Sequence, residues 1–367
     1  STVSVVGAHW FSAITGGGPL FGYSIALKGN DGSVWGWGNG SSGQFGQGTI
    51  ALDRSSPVSV VGAHSFNAIS SGNNYSLALK SSDGSVWGWG VNSNDQLGDN
   101  TVTTRSSPIS VVGAHSFARI SAGSVNSYGL KSDGSVWAWG SRASGGLGNN
   151  TDANITSPVA VVGAHTFNAI SRGSGANHFS TLKSSDGSVW AWGLGTSGQL
   201  GQGTVATSRS SPVSVVGGHS FNAVVSGASQ SLAVKSADGS VWAWGINSFG
   251  QLGSNNSTDR SSPVSVVGAH SFNAIAGGER FSMALKSSDG SVWAWGIATN
   301  GQIGDNQTAT NRSSPVSVIG AHSFNAIAAG NENALALKSS DGSVWAWGLG
   351  TSGQHGEGTS AVSRSSP

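Results

Sequence analysis

The chain has 367 residues, among them 58 glycines, 15 tryptophans and no cysteine, and its 17 basic and 16 acidic residues leave a net charge of +1. The lack of cysteine excludes a disulfide framework, a zinc–thiolate site and a cysteine nucleophile. The even charge balance argues against nucleic acid as a partner, because such proteins usually carry a strong basic stripe.

The opening segment, Val3-Ser-Val-Val-Gly-Ala-His9, returns at Val58–His64. The copy that follows reads Pro57-Val-Ser-Val-Val-Gly-Ala-His64, Ser65-Phe-Asn-Ala-Ile-Ser70, Ser76-Leu-Ala-Leu-Lys80 and Ser85-Val-Trp-Gly-Trp-Gly90, with Ser81-Ser-Asp-Gly84 before the last. Four segments rich in Val, Ile, Leu, Phe or Trp, each bounded by Gly, Asn, Ser, Asp or Pro, predict four short strands. Asp83-Gly84 predicts a hairpin turn, since both residues tolerate the positive φ that tight turns need. Residues two apart share a strand face, so Trp87 and Trp89 point one way and Val86 and Gly88 the other. Leu77 and Leu79 share a face, with the small Ala78 opposite. A loop holding Asp95-Gln-Leu-Gly98 leads to the next copy.

Trp-x-Trp-Gly recurs at Trp35, Trp87, Trp137, Trp190, Trp242, Trp293 and Trp345, with spacings of 52, 50, 53, 52, 51 and 52 residues. A period this long means one supersecondary unit copied in an array. One four-stranded unit cannot bury both faces, whereas stacked units can, the large Trp face of one meeting the small Gly/Ala face of the next. The expected fold is therefore all-β: a seven-bladed β-propeller of four-stranded antiparallel blades, a single domain over residues 1–367. The last residues, Arg364-Ser-Ser-Pro367, are the text that precedes Val58, Ile109 and Val213. The chain leaves off where it begins, one repeat later, so strands from both termini should close the ring.

No apolar run reaches the about 18 residues of a membrane helix, and membrane insertion is not expected. Only 9% of residues are charged, and neutral polar side chains must carry solubility. That composition points to an extracellular or virion-surface setting. The chain shows no signal peptide and does not begin with Met.

The unit Ser-Leu-Ala-Leu-Lys-x-x-Asp-Gly-x-Val-Trp-x-Trp-Gly, followed by Gly-Gln-Leu-Gly and a Pro, resembles the repeat of the regulator of chromosome condensation family along the whole chain. The resemblance implies a seven-bladed propeller. The Ser-Val-Val-Gly-Ala-His-Ser-Phe segment looks like the bacterial and phage-type members. Family members include a nucleotide exchange factor for a small GTPase and a bacterial β-lactamase inhibitor. Exchange activity is not expected here, since no long insertion stands ready as a wedge.

Comparing the copies separates scaffold from site. Asp-Gly occurs in all seven, and all seven lysines precede that turn, where pairing with the turn Asp is favoured over an anion-binding ring. The histidines His9, His64, His115, His165, His219, His270 and His322 share one repeat position, too far apart to hold one metal ion, and no cofactor is expected. Arg54, Arg105, Arg209, Arg260, Arg312 and Arg364 read as loop anchors. Variation falls on the segment entering the Leu-Ala-Leu strand and on the loop after Trp-x-Trp-Gly, which emerge on one face of the ring. A rigid scaffold with varied loops is how binding proteins are commonly built. At the entry position stand Tyr23, Tyr75, Asn126, His178, Gln230, Phe281 and Asn333, with Phe21, Phe179, Phe249 and Arg280 nearby. These are the candidate binding residues: flat aromatics beside amides suit sugars or a protein partner.

Catalysis is not expected. Glu279 and Glu332 occupy related loops in adjacent copies, as a glycoside hydrolase pair would, but nothing in the sequence sets their separation. The reading is a non-catalytic scaffold that binds a protein or surface glycan through its variable loops. The rivals are a virion or cell-surface building block that self-assembles through the ring's edges, and a secreted enzyme inhibitor.

Overall fold

The computed structural model describes residues 5–6, 10–18, 22–50, 53–151, 153–171, 177–205, 207–358 and 363–367. Six four-stranded antiparallel sheets and one three-stranded sheet follow one another along the chain. Blade 2 shows the pattern. Its strands are Phe66–Ser71, Tyr75–Lys80, Val86–Gly90 and Arg105–Ser110, in that order from inside to outside. Leu77 pairs with Gly88, Leu79 with Val86 and Ala78 with Trp87. The two faces are those the alternation predicts.

Stacking buries one Trp per blade completely: Trp37, Trp89, Trp139, Trp192, Trp244, Trp295 and Trp347. Trp89 and Ala78 pack on Ile25, Leu27, Val34 and Phe45 of blade 1. The Trp face therefore meets a Leu/Val face, not merely a small one. The Gly at its centre has a different job. A Cβ on Gly36 would lie 2.9 Å from the Phe45 ring, and one on Gly88 3.1 Å from Leu97. These small residues admit an apolar plug from the loop after the third strand. The same loop supplies the indole's acceptor. Trp89 Nε1 donates to Gln44 O at 2.8 Å, and the other six buried tryptophans repeat this bond to the preceding blade at 2.9–3.0 Å. A buried indole N–H left unmet would offset much of the gain from burying the ring.

Each of these loops then reaches the outer strand of the next blade. Gly48, Asn100, Asn150, Gly203, Asn255, Asn306 and Gly358 donate backbone N–H groups to Ser106, Thr156, Ser210, Ser261, Ser313, Ser365 and Ser55. All seven donors have φ between 57° and 87°. Only Gly and Asn occupy the position because these residues tolerate the left-handed region best.

Closure follows the same contacts. Trp37 of blade 1 donates to Gln354 of blade 7 at 2.9 Å, and Val5, Phe11, Ala26 and Trp37 share a core with Leu335, Leu337, Val344 and Ala346. Blade 7 takes its outer edge from both chain ends. Arg364 and Gly348 exchange backbone hydrogen bonds at 2.8 Å, while Val5 N–H reaches Val344 O at 2.9 Å. In blade 1 the corresponding contacts are Gly38 opposite Arg54 and Val60 N–H to Val34 O.

The first strands line a central channel. Ile14, Ile69, Val225, Ile275 and Ile327 face it together with Thr15, Ser70, Ser71, Ser171 and Ser226, around a cavity of about 250 Å³.

Candidate functional site

The register puts Gly17, Tyr23, Gly38 and Arg54 at one end of blade 1, and the Asp-Gly turn at the other. The variable segments thus share a face, as expected. The entry residues themselves do not lie on its surface. Tyr23, Tyr75, Phe179, His178, Gln230 and Phe281 have no accessible area, and Asn126 and Asn333 have 1% and 2%. This corrects the expectation that they contact a partner: side chains without accessible area cannot touch one. They bind the neighbouring blade instead. Tyr75 Oη donates to Asn126 O at 2.6 Å, and Tyr23 Oη to Tyr75 O. Gln230 Nε2 donates to Phe281 O at 3.0 Å, and His178 Nε2 lies 2.9 Å from Ser231 Oγ. Burial pushes the Tyr23 phenol up from its ordinary pKa. Phe179 stands where five other copies have Ser and one has Ala334, and stacks on Tyr128, centroids 3.9 Å apart. The position varies because several polar or aromatic groups can bridge the blades, and glycines just after the first strands leave room for them. A Cβ on Gly72 would lie 2.1 Å from the Tyr75 ring. Phe21 and His9 lie outside the described residues.

Phe249 and Arg280 remain on the surface. Arg280 is exposed, its guanidinium 5.2 Å from the centroid of the half-buried Phe249 ring and 3.2 Å from Glu279. One blade on, Glu332 is half-buried and accepts a hydrogen bond from Asn300 Nδ2 at 3.3 Å. Burial, reinforced by the negative charge of Glu279, raises the Glu332 carboxyl above its ordinary pKa. Among the described residues of the loops entering the second strands, Glu279, Arg280 and Glu332 are the only charged ones. The sequence marked the two glutamates as related positions; Asn300 carried no signal of its own, because its role depends on how two loops from different blades meet.

The repeated charges belong to the scaffold. Lys28, Lys80, Lys183, Lys235, Lys286 and Lys338 pair with their turn aspartates at 3.3–3.9 Å. In blade 3, where the turn is one residue shorter, Lys131 sits 3.9 Å from the Trp137 ring centroid. The six described histidines of the repeat each lie tilted against their blade's outer Trp, with ring centroids 4.1–4.5 Å apart. Arg105, Arg312 and Arg364 anchor the outer loops through Asp99, Asp305 and Glu357 at 2.5–2.8 Å.

Seven Trp-wedged blades with loops gathered on one face define a closed repeat propeller of the kind that presents a surface. The RCC1-like domain model matches residues 33–367, and the chain belongs to that family. It is 30% identical to the ultraviolet-B receptor UVR8 of Arabidopsis thaliana over 355 residues, 94% of this chain and 79% of the receptor. It is 33% identical to the probable human E3 ubiquitin-protein ligase HERC3 over 181 residues, 48% of this chain but 17% of the ligase. Among solved structures, human WBSCR16 superposes with a TM-score of 0.80 at 20% identity, covering 92% of this chain and 89% of that one. Prp20p of Saccharomyces cerevisiae does so with 0.79 at 22% identity, covering 100% and 90%. That structure's description includes binding to Gsp1p and histones.

Proposed function

We propose that the chain is a binding scaffold without chemistry of its own, which engages a protein partner through the loop face where blades 5, 6 and 7 meet. One observation carries the reading. The unrepeated groups Phe249, Arg280, Glu279 and Glu332 gather there, Arg280 exposed and the other three half-buried, while six of the repeated lysines are paired with aspartates of their own turns. An Arg on an aromatic ring, rimmed by polar groups, is the composition of protein-binding hot spots. Protein binding described for the Prp20p relative is consistent with this use of the fold. The burial of Tyr23, Tyr75 and Phe281 removes the stacking platform that favoured a glycan. Self-assembly through the ring edges is disfavoured by the edge strands themselves. Those of the first six blades carry Pro57, Pro108, Pro158, Pro212, Pro263 and Pro315, and proline cannot donate to a new strand.

Photo-crosslinking tests the reading. A benzophenone side chain at the exposed Ser248, on the loop face, should join a discrete protein in extract of the source cells. The same group at the exposed Ser82, beside the Asp-Gly turn, should not. The Ser248 product should vanish when Phe249 and Arg280 are both replaced by Ala. Equal products from both faces, or none from Ser248, would refute it.

A further inference from the structure

We infer that the partner presents a basic side chain, lysine or arginine, which is seated between Glu279 and Glu332. The inference rests on the loop-face reading and specifies the partner's chemistry. The two glutamates come from adjacent blades, and the Glu279 N–H donates to Asn331 O at 3.1 Å, which ties their loops together. Donors are scarce here. Glu279 is met by Arg280 at 3.2 Å, and Glu332 by the Asn300 amide at 3.3 Å. Asn331, beside Glu332, is only 6% exposed, and its Oδ1 has no hydrogen-bond partner. Acceptor oxygens therefore outnumber donors in a partly desolvated spot, where an unmet acceptor is costly. A group that is positively charged and donates only, ammonium or guanidinium, satisfies both needs. Burial, with the Glu279 charge adding to it, raises the Glu332 pKa, and a cation seated beside it would oppose both effects.

A metal ion fits less well. Among the described residues no three His, Cys, Asp or Glu side chains gather to hold one, and a hard cation such as calcium takes six to eight oxygen ligands. Arg280 on Phe249 supplies a flat flank for the rest of the partner and repels a second basic residue next to the first. One basic side chain with neutral or acidic neighbours is the expected match.

The test uses the whole chain and the blocked peptide acetyl-AAKAA-amide, followed through the carboxyl ¹³C signals of the glutamates. The peptide should shift Glu279 and Glu332 and lower the apparent pKa of Glu332. Either E332Q or E279Q should weaken binding about tenfold, the scale of losing one charged contact. Two variants on separate loops keep the test alive if one of them fails to fold. The inference falls if the peptide leaves both carboxyl signals unmoved, if the acetyl-lysine version binds equally, or if either folded variant binds as wild type. It also falls if calcium chloride alone moves both signals, which would mark a metal site. If E332Q and E279Q keep the Ser248 crosslink that the Phe249/Arg280 double variant loses, the loop-face reading stands and the basic-ligand inference does not.

Discussion

At the scale of the residue, variability between copies proved a poor guide to exposure. Tyr75, Asn126, His178, Gln230 and Phe281 differ from one another yet are all buried at the same place between blades, and three of them, Tyr75, His178 and Gln230, make polar bonds to the neighbouring blade. Alternation along the strand could not reveal this, because the face that carries the side chain is turned to the next blade, not to solvent. Replacing Tyr75 or Phe281 with Ala should therefore destabilise the fold, by about 3–5 kcal/mol each, the usual cost of deleting a buried aromatic ring. Urea unfolding monitored by Trp fluorescence would measure it. A loss below about 1 kcal/mol, the ordinary effect of a surface change, would contradict the burial assigned here.

The hairpin turn shows how an element repeats. Asp289 Oδ1 accepts from Ser291 N–H at 2.9 Å and from Ser291 Oγ at 2.6 Å, and Ser291 Oγ in turn accepts from Trp293 Nε1 at 3.2 Å. Those serine donors, with Lys286 alongside, lower the Asp289 carboxyl from 3.8 to about 2. All six other turns repeat the two-donor arrangement or its backbone half, and in each the carboxyl is lowered too. A carboxyl with a lowered folded pKa contributes stability above its unfolded value, which is lost as pH falls through the folded one. Asp289→Ala should thus be less stable than wild type at pH 7, and the gap should close between pH 3.8 and about 2. Melting temperatures across that range check it; a gap that persists at pH 2 would assign the turn's value to something other than ionisation. This much was legible in the sequence, since Lys-x-x-Asp-Gly-Ser is local and every partner lies within a few residues.

The whole molecule adds what no single blade contains. Six copies place Phe45, Leu97, Leu147, Leu200, Leu252 or Ile303 at the apolar plug, but the closing blade has His355. It is 2% exposed, with Nε2 3.1 Å from Gly348 O and Nδ1 3.9 Å from Glu357, beyond hydrogen-bond reach. Burial, aided by the Arg364 charge, lowers its pKa from 6.5 to about 4 even though Glu357 opposes the shift. The fold thus holds the neutral ring. Below pH 6.5 the unfolded chain takes up a proton that the folded chain refuses, so stability falls until about pH 4. His355→Leu should remove that loss and gain roughly 1–2 kcal/mol at pH 5 by ending the burial of an unmet nitrogen. Parallel denaturation of both forms at pH 5 and pH 7.5 would show it. If the variant is less stable at both, His355 serves closure in a way an apolar plug cannot.

The sequence by itself determined the blade count, the four strands, the hairpin faces and the meeting of the termini. Those features are written in period, alternation and turn chemistry, each of which acts over a few residues or repeats without change. It also determined family membership, because the repeated core is what relatives share. Tertiary structure alone decided which varied residues face the neighbouring blade and which face water. It decided too that Phe249, Arg280, Glu279, Asn300 and Glu332, from loops of three blades, form one surface. That outcome depends on how far each loop reaches around the ring, a distance set by packing between blades and absent from any one repeat.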